Sequence, residues 1–333
     1  MSEKVIGHAD MVALSALMAT GLLDAKVGGR QGALMMNRVS NAPPQIFDRQ
    51  LWRQRRARAR FCEAAFLRER AATDILDRLE TATRHFDRAV IYGAPDFARA
   101  MASSSKIGWS AHADIAPKAA AQNLAPRPFV ADEEYFPIAP GSLDLIVSFL
   151  TLHASNDLIG ALSQMRAALK PDGLLIAALF GEETLKQLRT ALYAAEASIG
   201  GGVAPRVAPF ATVRDLGGAL QRAGFALPVA DLDRVFITYN SPYRLFGDLR
   251  AMGETSILKM EGIRPPLSRE IALDTARRIH EAGGEVQFDV VYLTGWAPSA
   301  TQPKPLKPGS ATHSLAEADA KQENARGGAV KKS

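Results

Sequence analysis

Short apolar runs alternate with helical patterns along most of this chain, and no other feature constrains its fold more strongly. The apolar runs predict strands over residues 88–92, 107–111, 128–131, 143–149, 174–180, 229–238 and 286–296. The helical patterns predict helices over residues 97–103, 117–124, 156–169, 182–199, 213–223, 242–252 and 268–282. Such alternation is typical of a parallel sheet covered by helices on both faces. We therefore predict an α/β fold with a seven-stranded, mostly parallel sheet.

Composition indicates what the segments outside the predicted α/β domain are. We expect residues 1–43 to be a variable or non-native extension, whose apolar stretch is too short to span a bilayer. Residues 44–86 predict an N-terminal helix, residues 87–297 the α/β domain, and residues 298–333, rich in Pro, Gly and mixed charge, a disordered tail. The single cysteine, Cys62, excludes an internal disulfide framework, and the six dispersed histidines do not predict a metal site. We expect a cytoplasmic protein without a membrane span.

A five-residue turn before the fifth predicted strand indicates which class of α/β fold the chain adopts. The turn runs Leu169-Lys170-Pro171-Asp172-Gly173, and we expect Pro171 to fix the backbone angle and Gly173 to adopt a left-handed conformation. The strand LDLIVS at residues 143–148 precedes it at the distance seen in class I methyltransferases. The order of strands and loops resembles that Rossmann-like, S-adenosylmethionine-dependent superfamily.

A narrower resemblance rests on many short blocks in one order. The blocks are IFDR at residues 46–49, ADEE at 131–134, LHASND at 152–157, FGEETL at 180–185, PFATVRDLG at 209–217, MGE at 252–254, GW at 295–296 and PGSAT at 308–312. From residue 44 to residue 312, the chain resembles the mitochondrial complex I assembly factor 5 group and its malonyl-carrier-protein methyltransferase relatives. The resemblance implies a protein modifier in the assembly of NADH dehydrogenase, with one of its subunits as substrate or partner. Members of the mitochondrial group are arginine hydroxylases with a methyltransferase fold.

The resemblance also implies S-adenosyl-L-methionine as cofactor, bound by a glycine-rich turn after the first strand. That turn is IYGAPDF at residues 91–97, where Gly93 alone matches the family's three glycines. Pro95 has no N–H to offer a ligand, and Asp96 would place negative charge near the ligand's carboxylate. We interpret Asp96 as a helix N-cap rather than a ligand contact.

Two further acidic residues are candidates for the cofactor site. In the family, the acid at the position of Asp114 accepts hydrogen bonds from the ribose, and the acid at Asp132 meets the adenine amino group. Each residue also has a structural interpretation: Asp114 as a cap or turn acid, and Asp132 as part of a solvated acidic loop with Glu133 and Glu134.

His153 follows the fourth predicted strand, where substrates of open α/β sheets lie. It could act as a general base, or it could be a hydrogen-bonded structural histidine. Asn156 or Asp157 is expected to cap the next helix.

The N-terminal segment carries eleven arginines against seven acidic residues between residues 47 and 88. Residues 47–86 contain no Pro or Gly, which predicts one long helix with at most one break. Because few aromatic residues interleave with the arginines, we expect no nucleic-acid binding. We interpret the segment as a solvated amphipathic helix over the cofactor cleft, with docking to a protein partner as the second interpretation.

Two functions remain open at this point. The first is an adenosylmethionine-dependent enzyme in which Gly93, Asp114 and Asp132 hold the cofactor and His153 serves the substrate. The second is a non-catalytic assembly chaperone, which the degenerate glycine turn favours.

Overall fold

The computed structural model of the chain describes residues 45–122, 125–199, 202–259 and 266–302. The predicted extension over residues 1–43 and the predicted tail beyond residue 302 lie outside these ranges. The described residues up to 298 belong to one unit. Residues 299–302 belong to a second unit, where the Gln302 N–H donates to the Ser299 carbonyl at 3.4 Å. Among the helices that the structure describes, none combines the length and apolar composition that crossing a bilayer requires.

One sheet organises the first unit, with the strand order β3–β2–β1–β4–β5–β7–β6. The strands are β1 Phe86–Tyr92, β2 Ile107–Asp114, β3 Pro128–Val130, β4 Leu143–Phe149, β5 Leu169–Phe180, β6 Ala226–Thr238 and β7 Glu285–Trp296. Strands β1 to β5 are mutually parallel, whereas β7 runs antiparallel to both β5 and β6. This confirms the predicted seven-stranded, mostly parallel α/β fold.

Helices cover both faces of the sheet. They are α1 Arg49–Arg58, α2 Ala65–Thr81, α3 Ala98–Ala102, α4 Pro117–Ala120, α5 Leu158–Ala168, α6 Lys186–Ile199, α7 Val213–Arg222, α8 Pro242–Met252 and α9 Arg269–Glu281. Successive residues of β1 enter different cores because side chains alternate across a strand. Ile91 belongs to the same buried cluster as Ile75 of α2 on one face, and Val90 belongs to the same cluster as Leu162 of α5 on the other.

The N-terminal segment is broken once, as the prediction allowed. Helix α1 starts at its cap Asp48, whose side chain accepts the Leu51 N–H at 2.9 Å. The chain leaves helical geometry at Ala59, which is extended, and the next residue, Arg60, donates its N–H to the Ala251 carbonyl at 2.8 Å. A 3-10 turn at Phe61–Ala64 then leads into α2. The break therefore depends on a contact with α8, which the sequence of the segment does not reveal.

The turn predicted at residues 169–173 forms the beginning of β5, and its backbone conformation differs from the prediction in one detail. Asp172, with φ of +61°, takes the left-handed conformation that was expected of Gly173. Gly173 is needed for space instead, because a Cβ there would lie 2.8 Å from the Lys170 carbonyl oxygen. The turn interrupts the β4–β5 register, in which Leu143 pairs with Leu169 and Leu145 with Leu174.

Candidate functional site

The sequence-predicted cofactor residues come together at the carboxyl edge of the sheet. Gly93 directly follows β1, Asp114 ends β2, and Asp132 follows β3. Parallel neighbours in the sheet end on the same side, so the fold brings these three positions to one crevice. We call this region, at the ends of β1, β2 and β3, the crevice.

Gly93 forms the floor of the crevice and tolerates no side chain. Its φ is +79°, a conformation that residues with a Cβ rarely adopt. A Cβ at this position would lie 2.3 Å from Thr151 Cγ2 and 2.7 Å from the Phe149 carbonyl oxygen. The glycine is therefore required by the close approach of the loop after β4.

Asp114 is engaged by Arg56 of α1, and both side chains are fully excluded from solvent. Arg56 Nη2 donates to Asp114 Oδ2 at 2.6 Å and to the Gly93 carbonyl at 2.9 Å, while its Nε lies 3.0 and 3.1 Å from the two carboxylate oxygens. Burial alone would lower the pKa of Arg56, but the facing charge of Asp114 raises it overall. Asp114 Oδ1 also accepts the Ala116 N–H at 2.9 Å, in agreement with its interpretation as a turn acid.

Asp96 binds a second arginine of the N-terminal segment, so its interpretation as an N-cap is wrong. Helix α3 begins after Phe97, and the Asp96 carboxylate accepts two hydrogen bonds from Arg68 of α2, at 2.7 and 2.5 Å. Arg68 is 1% exposed, and its guanidinium carbon lies 4.7 Å from the centroid of the Phe149 ring. The buried cation and the acid satisfy each other next to the glycine turn.

A third arginine holds the acidic loop after β3. Arg49 Nη2 donates to Asp132 Oδ1 at 2.6 Å and to Glu133 Oε2, and its Nη1 donates to the Ala154 carbonyl at 2.9 Å. Burial raises the pKa of Glu133 above its ordinary value, although Arg49 opposes this shift. Asp132 is 15% exposed in its side chain, so the loop is more enclosed than the solvated alternative implied.

These contacts decide whether the crevice fits adenosylmethionine in the conformation described. The carboxylates of Asp114 and Asp132 and the Gly93 carbonyl all bind arginine side chains. Since the carboxylate of Asp114 is not exposed, the ribose hydroxyls have no access to it. The residues therefore do not fit the cofactor in this conformation.

These arginines were predicted to lie on a solvated helix over the cofactor cleft. Arg49, Arg56 and Arg68 instead bind acidic residues, so for these three the prediction of solvation is wrong. Arg49, Trp52 and Arg56 are spaced three and four residues apart, which puts them on one face of α1. This spacing was a usable signal, because it aligns two cations with a large apolar ring. Nothing comparable marked Arg68 in the sequence.

His153 lies beside the crevice in a pocket of about 180 Å³. Its ring nitrogen Nε2 is 3.0 Å from Glu254 Oε2, and its ring centroid is 4.8 Å from that of Phe180 and 6.0 Å from that of Trp52. The rest of the pocket is mainly aliphatic and aromatic, with Leu185, Leu188, Leu192, Val207, Phe210, Phe246, Leu249 and Ile257 among its lining residues.

Four buried polar atoms of this pocket have no hydrogen-bond partner within the part of the chain that the structure describes. They are Trp52 Nε1, His153 Nδ1, Glu254 Oε1 and Ser256 Oγ. Buried polar groups are ordinarily paired, and an unpaired one costs about 1–3 kcal/mol. An apolar pocket with several unpaired polar groups is typical of a ligand site.

The other candidates of the loop after β4 have structural roles. Asp157 accepts the Gly160 N–H at 2.8 Å and caps α5, as predicted for one of the two residues. Asn156 instead binds the backbone of Phe47: its Oδ1 accepts the Phe47 N–H at 2.7 Å and its Nδ2 donates to the Phe47 carbonyl at 3.1 Å. Over the described residues, no group of three His, Cys, Asp or Glu side chains is placed to hold a metal ion.

Comparison with known proteins assigns the chain to a family. A methyltransferase-domain family matches residues 67–228. The chain is 35% identical over 287 residues to the human protein arginine-hydroxylase NDUFAF5, mitochondrial, covering 82% of this chain and 83% of that protein. It is 36% identical over 191 residues to malonyl-[acyl-carrier protein] O-methyltransferase of Laribacter hongkongensis, covering 56% of this chain and 61% of that enzyme. The crystal structure of YcgJ protein from Bacillus subtilis is 12% identical, covering 70% of this chain and all of that chain, with a TM-score of 0.47.

Proposed function

The chain carries a methyltransferase domain and belongs to the family of the arginine-hydroxylase NDUFAF5, and from that premise we propose that it modifies a protein subunit during assembly of the respiratory NADH dehydrogenase. The observation that carries this proposal is the pocket beside His153 with its unpaired polar atoms. At about 180 Å³ it is smaller than the roughly 300–1,000 Å³ pockets of drug-sized ligands. Its size suits a single side chain of a protein substrate.

The polar atoms favour a head group that is rich in N–H donors. With its proton on Nε2, His153 donates to Glu254 and leaves Nδ1 as an acceptor. Glu254 Oε1 is a second acceptor, and Ser256 Oγ can also accept. A basic side chain with an aliphatic stem would pair with these atoms and bury its stem against the apolar walls. His153 Nδ1 would then be placed to accept a proton from the bound head group.

S-adenosyl-L-methionine is the cofactor we propose, with support from the family alone. Gly93, Asp114 and Asp132 remain our proposed cofactor-binding residues, in an arrangement of the crevice other than the one described. A location in the cytoplasm also remains a proposal, since the human relative is named mitochondrial.

The proposal can be tested by mass spectrometry of NADH dehydrogenase subunits from cells that carry the native chain or a Glu254→Gln variant. Glu281→Gln, at an exposed position of α9, is the matched control. We expect one subunit to gain the mass of a methyl group with the native chain and the control, and to lack it with Glu254→Gln. A gain of one oxygen atom would instead indicate the hydroxylase chemistry named for the human relative.

A non-catalytic assembly chaperone is the second candidate, and the arginine contacts in the crevice favour it. In that case NADH dehydrogenase would assemble normally while its subunits showed no change of mass that depends on this chain. Assembly would then tolerate Glu254→Gln unless the pocket itself binds the partner.

A further inference from the structure

We propose that helix α1 is a built-in competitor for the crevice, so that a nucleoside can bind there only after α1 has moved away. The proposal rests on the cofactor named under the proposed function and adds a mode of regulation to it. Its basis is that Arg49 and Arg56, both on one face of α1, hold the carboxylates of Asp132 and Asp114. The crevice is therefore occupied by guanidinium groups from the chain itself.

The carboxylate of Asp114 is enclosed by its hydrogen-bond partners. Three N–H groups bind the carboxylate: Oδ1 accepts from Ala116, Oδ2 accepts from Arg56 Nη2, and the single Arg56 Nε–H is shared between the two oxygens. A carboxylate has about four acceptor sites, but that of Asp114 is fully buried, so none of them is open to solvent. A ribose hydroxyl that is to bind Asp114 must therefore displace the guanidinium of Arg56.

The space next to Asp114 is also closed sterically. The guanidinium carbon of Arg56 lies 5.3 Å from the centroid of the Trp52 ring and 4.9 Å from that of the Phe61 ring. Trp52, Arg56 and Phe61 are each at most 1% exposed, so the space next to Asp114 is packed with side chains. Removal of the charge of Arg56 without movement of α1 would not make room for an adenosine.

The two helices of the N-terminal segment differ in how firmly they are packed. Helix α2 buries Leu67, Ala71, Ile75 and Leu79 in the main core, together with Arg68 and Ala72. Among the residues of α1, by contrast, only Trp52 and Arg56 are buried. The chain is not helical at Ala59 and Arg60, between the two helices, so α1 can swing out while α2 keeps its place.

The same movement would also open the substrate side. Trp52 lines the pocket of His153, and Arg49 donates to the carbonyl of Ala154, the residue next to His153. Departure of α1 would therefore release the carboxylates of Asp114 and Asp132 and remove one wall of the pocket together. Cofactor binding and partner binding should be coupled through this helix, because both respond to the position of α1.

The test is a calorimetric titration of the full chain and its variants with adenosylhomocysteine. Arg56→Met removes the ion pair that holds α1 against Asp114 and so favours departure of the helix, and Arg53→Met, at an exposed position of the same helix, is the control. We expect Arg56→Met to bind at least about tenfold more tightly than the native chain, a gain of about 1.4 kcal/mol. The affinity of Arg53→Met should equal that of the native chain.

Each other outcome overturns the proposal, and the outcomes differ in what they say about the proposed function. Equal affinities of the native chain and Arg56→Met would show that α1 does not compete, while the proposed cofactor would stand. Weaker binding by Arg56→Met would make Arg56 a ligand of the cofactor. Absence of binding by all three proteins would overturn both the competition and the proposed cofactor.

A second measurement keeps the test decisive if Arg56→Met does not fold. Hydrogen exchange of the native chain is followed by mass spectrometry with and without saturating adenosylhomocysteine. We expect the amides of residues 49–58 to exchange faster in the complex, while those of α2 remain protected. Unchanged or slower exchange of residues 49–58 in the complex would overturn the proposal.

Discussion

Arg56 and Asp114 form a solvent-excluded ion pair between the N-terminal helix and the end of the second strand, with 2.6 Å between Nη2 and Oδ2. Arg56 also donates to the carbonyl of Gly93, so one side chain ties α1 to the ends of both β1 and β2. A buried ion pair adds little net stability, because its formation requires the desolvation of both charges. Its value in this position is that it specifies where α1 lies.

Loss of one partner of this pair should lower the stability of the folded chain. Asp114→Asn leaves the buried guanidinium of Arg56 without a counter-charge, and we expect the free energy of unfolding to fall by about 3–5 kcal/mol. Asp87→Asn, at an exposed position, is the control and should change it by less than about 0.5 kcal/mol. Urea denaturation provides both values.

A double-mutant cycle measures the interaction between Arg56 and Asp114 separately from the effects of the two substitutions on the rest of the chain. Asp114→Asn combined with Arg56→Met removes both charges, so the combined loss should be clearly smaller than the sum of the single losses. Strict additivity would show that the two side chains do not interact in solution.

Gly93→Ala should destabilise the fold for two reasons that can be separated. The position has φ of +79°, and its Cβ would lie 2.3 Å from Thr151 Cγ2. Gly141 also has a positive φ, +62°, but nothing lies within 4 Å of its Cβ position. We expect Gly141→Ala to cost about 1–2 kcal/mol from strain, and Gly93→Ala to cost clearly more in thermal or urea denaturation. Similar losses of stability in the two variants would mean that the loop after β4 shifts to accommodate the added Cβ at little cost.

Asn156→Ala should loosen the start of α1 while the sheet stays intact. The side chain of Asn156 pairs with both backbone groups of Phe47, so its loss removes two hydrogen bonds of about 1 kcal/mol each. We expect faster hydrogen exchange at residues 47–58 and unchanged exchange in β4. Asn240→Ala, at an exposed position, should leave both regions unaffected. Protection of residues 47–58 equal to that in the native chain would contradict the role assigned to Asn156.

The stability contributed by Glu133 should decrease as the pH rises. Burial raises its pKa in the folded chain above 4.5, so between 4.5 and the raised value the folded state binds more protons than the unfolded state. The contribution is complete below pH 4.5 and is lost as the pH rises through the raised pKa.

Glu133→Gln isolates this effect, because the amide does not titrate. The stability of the native chain relative to Glu133→Gln should fall from pH 4.5 upwards in urea denaturation at a series of pH values. A relative stability that rises over this range would mean that Arg49 lowers the pKa of Glu133 below its ordinary value.

The sheet could be predicted from the sequence because its signals are local. Buried parallel strands are continuous apolar runs, and β4 at Leu143–Phe149 and α8 at Pro242–Met252 match their predicted ranges. Caps were predictable for the same reason, as Asp157 shows. The break at Arg60 was not predictable, since it depends on a backbone contact with Ala251, distant in sequence.

The site was only partly predictable, since its partners are far apart in the chain. The positions of Gly93, Asp114 and Asp132 at the strand ends followed from the order of the strands. Their partners did not, because the pairing of Arg56 with Asp114 spans 58 residues. An arginine-rich helix ordinarily faces solvent, and the acid that pairs with the buried Arg56 lies at the end of a distant strand.

Nitrogen-15 NMR of the arginine side chains tests most directly whether α1 occupies the crevice in solution. The Nε–H of Arg56 is fully buried and bonded to Asp114, so we predict a resonance that exchanges slowly with solvent, is absent in Arg56→Lys and is weakened in Asp114→Asn. Exchange of the Arg56 Nε–H as fast as that of the exposed Arg53 and Arg58 would show that α1 does not fill the crevice, and would contradict the account.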